Sequence, residues 1–268
     1  MCCQPPQKYD DIDELFELNV RRIKKAPKNV KHIGITGGEP TILGDRLIAF
    51  IEIIRRELPN TLIHLLTNGR AFSNPDYASK TVKAGNGMLS FGIPLHSDYE
   101  KDHNIIAGNP YAYKETMSGF YNLAMNSASI EVRVVINKLN YQRLSEISQY
   151  ILKNLPFIEW VSYMGMERTG YADKHAHSIW IDPLDYSDNL IKACELLVMS
   201  GYDARIYNIP LCLLHHTGWQ YAYQSISEWK KTFATSCREC IVREKCCGLF
   251  ATSSAPFRGI HPIIQGQE

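Results

Sequence analysis

The sequence lacks the features that mark several large classes of protein. Its longest apolar stretches, such as residues 47–54, fall far short of the roughly 20 residues that span a membrane. Residues 1–6 contain neither the basic nor the apolar segment of an export signal, so we expect a cytoplasmic protein with no membrane partner. The 29 Lys and Arg are balanced by 28 Asp and Glu, and this lack of basic excess disfavours nucleic-acid binding.

Cysteines are too few for a disulfide scaffold, and charged residues are too few for a disordered chain. The 268 residues include eight cysteines, 45% apolar residues and 21% charged residues, which are ordinary proportions for a globular protein. The cysteines are unevenly placed, with four of them between residues 237 and 247. This clustering indicates metal or redox chemistry in a reducing compartment.

The cysteines near the end of the chain have the spacing of a metal site. A two-residue gap separates Cys237 from Cys240, which lets two thiolates reach one ion from a tight turn. We predict four ligands, Cys212, Cys237, Cys240 and Cys246. This spacing is typical both of a structural zinc ion and of an iron–sulfur cluster.

Alternatives to this ligand set lie close by in the sequence. Cys247 competes with Cys246 for the fourth position, and we prefer Cys246 because a glycine follows Cys247, as in a turn. His215 and His216 are substitutes if one cysteine is not a ligand, although adjacent loop histidines are more often surface residues. Cys194 lies within a helical pattern and is interpreted as a core thiol.

The first two-thirds of the chain alternates strand-like and helix-like patterns. Apolar runs predict strands at residues 30–36, 62–66, 88–93, 130–136 and 158–164, and amphipathic periods predict helices at residues 11–25, 47–58, 75–83, 111–125 and 144–155. Such alternation predicts an α/β fold with parallel strands and right-handed crossovers. After about residue 175 the pattern weakens to one helix (183–200), one strand (202–207) and a loop-rich end.

Polar residues gather directly after the predicted strands. Examples are Gly37-Gly38-Glu39, Thr67-Asn68-Gly69 and His96-Ser97-Asp98. In parallel α/β folds the carboxyl ends of the strands carry the active site, so we expect one site rimmed by these loops. Gly37 and Gly38 would permit a ligand to approach the backbone closely, although Gly-Gly-Glu-Pro taken alone could be an ordinary turn.

In their order along the chain these motifs resemble the radical S-adenosylmethionine (radical SAM) superfamily. More closely, the chain is similar to the radical SAM maturase of the His-Xaa-Ser peptide system. The landmarks include Gly34-Ile-Thr-Gly-Gly-Glu-Pro-Thr41, Leu66-Thr-Asn-Gly69, Gly92-Ile-Pro-Leu-His-Ser-Asp98, Glu131-Val-Arg-Val-Val-Ile136 and Tyr207-Asn-Ile-Pro-Leu-Cys212. The resemblance implies an α/β fold, a partial (β/α)6 barrel over residues 1–175 that lacks its first strand, and a small Cys-rich C-terminal extension over residues 176–268.

The resemblance also implies cofactors, site residues and partners. It implies SAM, a 4Fe–4S cluster with Cys2 as the third cysteine of its Cys-x-x-x-Cys-x-x-Cys motif, and a second iron–sulfur cluster in the extension. The residues that it places at SAM are Gly37, Gly38, Glu39, Pro40, Thr67, Asn68, His96, Arg133 and Met164. The implied partners are a ribosomally synthesised peptide substrate, a small partner protein and an electron donor.

Two of these residues have specific implied roles and equally plain alternatives. Arg133 would pair with the SAM carboxylate, because a guanidinium matches a carboxylate in a two-point fork. Its alternative is an ion pair with a carboxylate of the barrel. Met164 would lie against the adenine, and its alternative is a place in the core.

One departure from the family pattern bears on activity. The first two cysteines of the cluster motif are absent, whereas three thiolates are needed to hold the cubane. We therefore interpret the chain as beginning at an internal Met of a longer enzyme, and we expect little or no catalysis from it. The alternative is a non-catalytic degenerate barrel whose tail binds zinc and recruits a peptide or partner. A sugar- or nucleotide-handling barrel is disfavoured, because nothing resembles a phosphate loop.

Overall fold

The computed structural model describes residues 12–253 and 257–265, and this part of the chain is an α/β structure. Its strands are β1 (His32–Ile35), β2 (Leu62–Leu66), β3 (Leu89–Pro94), β4 (Ser129–Val135), β5 (Trp160–Met164), β6 (Asp203–Tyr207), β7 (Ala222–Tyr223), β8 (Lys231–Thr232) and β9 (Leu249–Phe250). Its helices are α1 (Ile12–Lys25), α2 (Asp45–Glu57), α3 (Pro75–Gly85), α4 (Glu100–Ala107), α5 (Ala112–Met125), α6 (Leu144–Asn154), α7 (Gly170–Lys174), α8 (Ala176–Ile179) and α9 (Ser187–Met199). Cys2, the predicted cluster ligand, lies outside the described residues.

Parallel strands in chain order form the main sheet. Over the described ranges its order is β1 to β7, and β8 pairs with β9 in a separate antiparallel sheet. The pairs β1–β2, β2–β3, β5–β6 and β6–β7 are parallel, with Gly34 opposite His64 and His64 opposite Ser90. Parallel neighbours need a crossover connection, which explains the intervening helices and confirms the predicted α/β alternation.

The chain divides into two compact units. Among the described residues the first unit comprises 12–94 and 109–132 and includes β1, β2 and β3. The second unit comprises 95–108, 133–253 and 257–265 and includes β5 to β9. Since β6 pairs with β5, the main sheet continues past residue 175, and the domain boundary at that residue stays a prediction.

Strand β2 shows how the first unit forms its core. Ile63 and Leu65 are fully buried on one face, while His64 on the other face is partly exposed. Successive side chains of a strand point to opposite faces, and full burial of each aliphatic side chain contributes about 1.5–3 kcal/mol. Ile51 and Ile54 of α2 are equally buried. The strand therefore divides an apolar, covered face from a more open one.

Several elements in the structure were not predicted from the sequence. Helix α4 lies between the predicted strand at 88–93 and the predicted helix at 111–125, where the sequence predicted no element, and its C-cap is Gly108, whose φ is 71°. Its apolar residues Ile105 and Ile106 lie near its C-terminal end, and the buried His103 faces the core where an apolar residue is usual. The apolar periodicity that identifies a helix in a sequence is therefore weak. The short elements α7, α8, β7, β8 and β9 were missed because they hold few residues. Throughout the described residues, no helix combines the length and apolar character that crossing a membrane requires.

Candidate functional site

The bend after β1 is fixed by the side chain of Glu39. Its Oε1 accepts hydrogen bonds from the Thr41 backbone N–H at 3.1 Å and from the Thr41 hydroxyl at 2.8 Å. The same oxygen accepts from the Thr67 hydroxyl at 2.6 Å, and Oε2 accepts from the Asn68 N–H at 2.7 Å. One carboxylate thus ties the carboxyl end of β1 to that of β2. Charge-assisted bonds of this kind are roughly twice as strong as neutral ones.

Gly37 and Gly38 present bare backbone to open space at this bend. Among the described residues, a Cβ at either position would meet no atom within 4 Å, and Gly37 has a φ of 149°, which other residues rarely adopt. Both carboxylate oxygens of Glu39 already accept hydrogen bonds from the chain itself. A ligand at the bend would therefore meet the backbone N–H and C=O groups rather than this carboxylate. This arrangement fits the position at SAM that the family resemblance implies for Gly37 and Gly38.

A cavity of about 190 Å³ adjoins the bend. It is lined by residues 35–40 and by α1 side chains that include Leu15, Phe16 and Asn19. Pockets that enclose a whole small-molecule ligand measure about 300–1,000 Å³. The cavity is therefore large enough for part of a ligand of nucleotide size.

The turn after β2 is held against helix α5. The Thr116 hydroxyl donates to the Asn68 carbonyl oxygen at 3.1 Å, and Asn68 Oδ1 accepts from the Arg70 N–H at 2.9 Å. A Cβ at Gly119 would lie 2.2 Å from the Gly69 carbonyl oxygen, so only glycine allows this approach. Close packing and Glu39 together fix the predicted site residues Thr67 and Asn68.

The other predicted SAM residues belong to the second unit. His96 follows β3, and its backbone is held by His103 Nδ1, which accepts from the His96 N–H at 3.2 Å, and by the Asn140 amide, which donates to the His96 carbonyl at 2.9 Å. Burial lowers the pKa of His103 to about 4. Burial and the neighbouring His103 lower the pKa of His96 to about 3. Both imidazoles are therefore neutral at pH 7, and His96 would meet a ligand as a dipole.

Asp98, two residues after His96, forms an ion pair within the protein. Arg143 donates from Nε to Oδ1 at 3.1 Å and from Nη2 to Oδ2 at 2.6 Å, and its guanidinium lies 4.3 Å from the Tyr99 ring centroid. This fork fixes the loop after β3.

Arg133 and Met164 lie side by side in the second unit. Arg133 Nη2 is 3.0 Å from the thioether Sδ of Met164, and both side chains are half-buried. A thioether is a weak acceptor, whereas the guanidinium carries five donors in a fork that matches a carboxylate. Their predicted roles toward SAM remain predictions.

The four predicted tail ligands surround one small cavity. Cys212, Cys237, Cys240 and Cys246 line a space of about 20 Å³ together with apolar side chains such as Phe233. Backbone N–H groups reach two of the sulfurs, from Gly248 to Cys246 at 3.5 Å and from Ile263 to Cys240 at 3.5 Å. The number and type of these donors fit a four-thiolate group.

The structure distinguishes Cys246 from its neighbour Cys247. Cys246 lines the cavity, whereas Cys247 is buried, and its thiol lies 3.4 Å from the Gly248 carbonyl oxygen. A hydrogen bond from Cys247, aided by backbone N–H groups and Lys231, lowers the pKa of Cys246 to about 6. The same hydrogen bond and burial raise the pKa of Cys247. Burial raises the pKa of Cys212 to about 11.

The thiols are gathered but are not in the geometry of an assembled metal site. Across residues 12–253 and 257–265, no three histidine, cysteine, aspartate or glutamate side chains are placed to hold an ion. Cys237, Cys240 and Cys246 lie on the loop between β8 and β9, whereas Cys212 lies between β6 and β7, so a four-thiolate group would require the sulfurs of two separate segments to move together. The rings of His215 and His216 lie with their centroids 4.1 Å apart and their planes tilted by 46°, and both residues are exposed.

Sequence reasoning missed two polar groupings. Glu167, after β5, accepts hydrogen bonds from Lys230 and from the Thr252 hydroxyl. His64 of β2 contacts Glu131 of β4. The available signal was a lone polar residue within an apolar strand, as at His64 and Glu131, but only the fold reveals its partner.

Comparisons with known proteins agree with this architecture. The model of the Radical SAM superfamily matches residues 1–151, and no curated protein sequence matches the chain. The solved structure described as native anSMEcpe with bound AdoMet and Kp18Cys peptide has a TM-score of 0.55 and 17% identity, covering 72% of this chain and 54% of that one. Streptococcus suis SuiB bound to precursor peptide SuiA has a TM-score of 0.58 and 13% identity, with coverage of 82% and 46%. SuiB bound to S-adenosylmethionine has a TM-score of 0.57 and 15% identity, covering 89% of this chain and 52% of that one.

The structural likeness and the superfamily match carry different weight. At these identities the solved structures share the fold alone, and the chain spans about half the length of each. The superfamily match covers 151 of the 268 residues, which is more than half of the chain. With its succession of parallel strands and helices forming a partial radical SAM barrel, this chain belongs to the radical SAM superfamily.

Proposed function

We propose that the chain is the SAM-binding part of a peptide-modifying enzyme of the His-Xaa-Ser maturase type. The observation that carries this proposal is the Glu39-fixed bend, at which the backbone of Gly37 and Gly38 faces open space. Support comes from the similar structures, since SuiB binds the precursor peptide SuiA and anSMEcpe binds AdoMet with a peptide. The substrate would accordingly be a ribosomally synthesised peptide.

Each predicted residue has a task that its environment permits. The backbone of residues 37–40 would receive the methionyl amino group, and Arg133 would pair with the carboxylate through its fork of donors. Thr67 and Asn68 hold the bend through Glu39, while neutral His96 and Met164 would contact the nucleoside. Cys2 would be one ligand of the 4Fe–4S cluster. The chemistry that these groups supply when bound is reductive cleavage of SAM to methionine and a 5′-deoxyadenosyl radical.

For the tail we propose an auxiliary iron–sulfur cluster on Cys212, Cys237, Cys240 and Cys246. Amide N–H groups directed at sulfur, as at Cys246 and Cys240, stabilise thiolates in such sites. A single zinc ion in a non-catalytic barrel is the second candidate. It is favoured by the cavity of about 20 Å³, which is little more than the space of one water molecule.

The remaining partners follow from the proposed reaction. Reductive cleavage requires an electron donor, and the family resemblance adds a small partner protein that presents the peptide. A balanced net charge of +1 offers no basis for nucleic-acid binding. We place the protein in the cytoplasm, where iron–sulfur ligands stay reduced.

The SAM site is tested by calorimetric titration of SAM into the anaerobically purified chain. Gly37→Ala forces a side chain onto a φ of 149° and should weaken binding at least tenfold. Gly87→Ala is the matched control, because it also adds Cβ at a positive φ in open space, in the turn before β3. Absence of SAM binding, or equal weakening by both variants, would contradict the proposal. We expect little 5′-deoxyadenosine release, because the sequence holds no complete Cys-x-x-x-Cys-x-x-Cys motif.

Metal analysis of the same protein separates the two candidates for the tail. An iron–sulfur cluster gives visible absorbance and acid-labile sulfide, whereas zinc gives neither. Cys246→Ser should remove most of the bound metal, and Cys247→Ser should leave it in place. A colourless protein with one zinc ion per chain would favour the second candidate.

A further inference from the structure

A histidine and a buried carboxylate meet across the main sheet in the first unit. His64 Nε2 of β2 lies 2.9 Å from Glu131 Oε2 of β4. The Glu131 side chain is 1% exposed and that of His64 is 29% exposed. This separation is an ion-pair distance, and polar contacts in active sites often tighten further when substrate binds.

Gly92 of β3 makes this contact possible. Strand β3 lies between β2 and β4, and neighbouring strands are about 4.8 Å apart, so the two side chains must bridge over β3. A Cβ at Gly92 would lie 2.8 Å from His64 Nε2 and 3.0 Å from Glu131 Oε2. Any other residue at 92 would therefore push the pair apart.

The sheet face that carries His64 has room for a ligand. Gly34 of β1 pairs with His64 and so lies beside it on the same face. Gly34 is exposed, and a Cβ there would meet no atom of residues 12–253 and 257–265 within 4 Å, which leaves space next to the imidazole. The carboxylate is enclosed, whereas the imidazole reaches the open side.

We propose that His64 and Glu131 form a proton-accepting dyad that acts on a substrate bound over this face. An O–H, N–H or S–H proton of the substrate passes to His64 Nδ1, the donor atom keeps the electron pair, and the new imidazolium is stabilised by the Glu131 carboxylate. A carboxylate behind a histidine orients the ring and stabilises its charged form. The dyad rests on the proposed function only for the class of its substrate, which is a peptide.

The burial of Glu131 supports this role. Removing a carboxylate from water is costly unless a partner compensates for it, so a buried pair contributes little to stability by itself. Two apolar residues would cover a sheet face at less cost. A role in proton transfer therefore explains the presence of the pair better than a contribution to stability does.

The test measures the reactivity of His64 without SAM, metal or peptide. The native chain is treated with diethyl pyrocarbonate at pH 8, and the carbethoxylation rate of each histidine is followed by peptide mass spectrometry. We expect His64 to react at a rate near that of the exposed His32, and Glu131→Gln to slow His64 at least threefold. His32 should react equally in both proteins.

A second variant guards against misfolding of Glu131→Gln. Gly92→Ala pushes the two side chains apart without replacing either residue. It should slow the carbethoxylation of His64 to a similar degree. Gly87→Ala, which meets no atom within 4 Å, should leave the rate unchanged. If His64 is as protected as the buried His103, or if neither variant changes its rate, the dyad is wrong. That outcome is independent of SAM binding, so it can be told apart from failure of the proposed function.

Discussion

At the scale of single residues, Glu39 shows how a charged side chain can serve a binding site without touching the ligand. All of its hydrogen bonds in the site run to donors of the chain itself, on Thr41, Thr67 and Asn68. The effect is to hold two strand ends in one arrangement and to leave the backbone of Gly37 and Gly38 exposed. Preorganised backbone groups bind a ligand without the cost of ordering a loop at that moment.

Glu39→Gln tests this organising role. The amide nitrogen cannot accept a hydrogen bond, so either the Asn68 N–H or the threonine donors lose their partner. We expect the free energy of unfolding to fall by about 1–3 kcal/mol, which urea titration measures. SAM binding should weaken in parallel, because the bend is no longer fixed.

Glu52→Gln is the matched control for that substitution. Glu52 is exposed on α2, so its replacement should change stability by less than about 0.5 kcal/mol. If Glu39→Gln is equally silent, Glu39 does not organise the bend.

At the scale of elements, the loop between β8 and β9, which carries three of the predicted ligands, is anchored at both ends by Glu167. The carboxylate follows β5, is 9% exposed, and lies within 3.2 Å of Lys230 Nζ through both oxygens. It also accepts from the Thr252 hydroxyl, and the Ala251 N–H donates to the Lys230 carbonyl at 2.7 Å. Lys230 precedes β8 and Thr252 follows β9, so both ends of the loop are tied to the same strand end.

Glu167→Gln should loosen this anchor. The amide cannot form the ion pair with Lys230, so we expect a loss of about 1–3 kcal/mol in stability. Iodoacetamide labelling at pH 7 should modify Cys237, Cys240 and Cys246 faster than in the unaltered chain. Glu159→Gln, at an exposed position just before β5, should change neither quantity. Unchanged labelling in Glu167→Gln would show that the loop holds its shape without the anchor.

At the scale of the whole molecule, two buried neutral histidines, His96 and His103, make the free energy of unfolding depend on pH. The folded chain holds His96 with a pKa of about 3 and His103 with a pKa of about 4, whereas both titrate near 6.5 when unfolded. Between pH 6.5 and 4 the unfolded chain therefore binds more protons, so stability falls as the pH falls. Each histidine contributes a slope of up to about 1.4 kcal/mol per pH unit.

Urea unfolding at pH 7, 6 and 5 measures this slope. His103→Gln removes one of the two groups. It should reduce the slope of the unfolding free energy against pH by up to about 1.4 kcal/mol per pH unit, whatever its effect on stability at pH 7. His177→Gln, which alters an exposed histidine, should leave the slope unchanged. Equal slopes in all three proteins would contradict the burial of a neutral His103.

Many elements were predictable because their cause is local. The apolar run at 62–66 became β2 with the same bounds, and the run at 158–164 became β5 with a later start. Asn74 caps α3 by accepting from the Asp76 and Tyr77 N–H groups, followed by Pro75 in the first turn. Helix α4 was missed because its inner side holds a histidine, which carries no apolar period.

The sequence by itself determined the alternation of the main strands and helices, the polar residues at the strand ends and the closeness of Cys237 to Cys240, because periodicity, turn residues and short spacings are local properties. Only the tertiary structure decided that Glu39 meets Thr67 and that Glu131 reaches His64 over Gly92. These contacts join residues 25 or more positions apart. Their geometry depends on strand register and close packing, which no local pattern encodes.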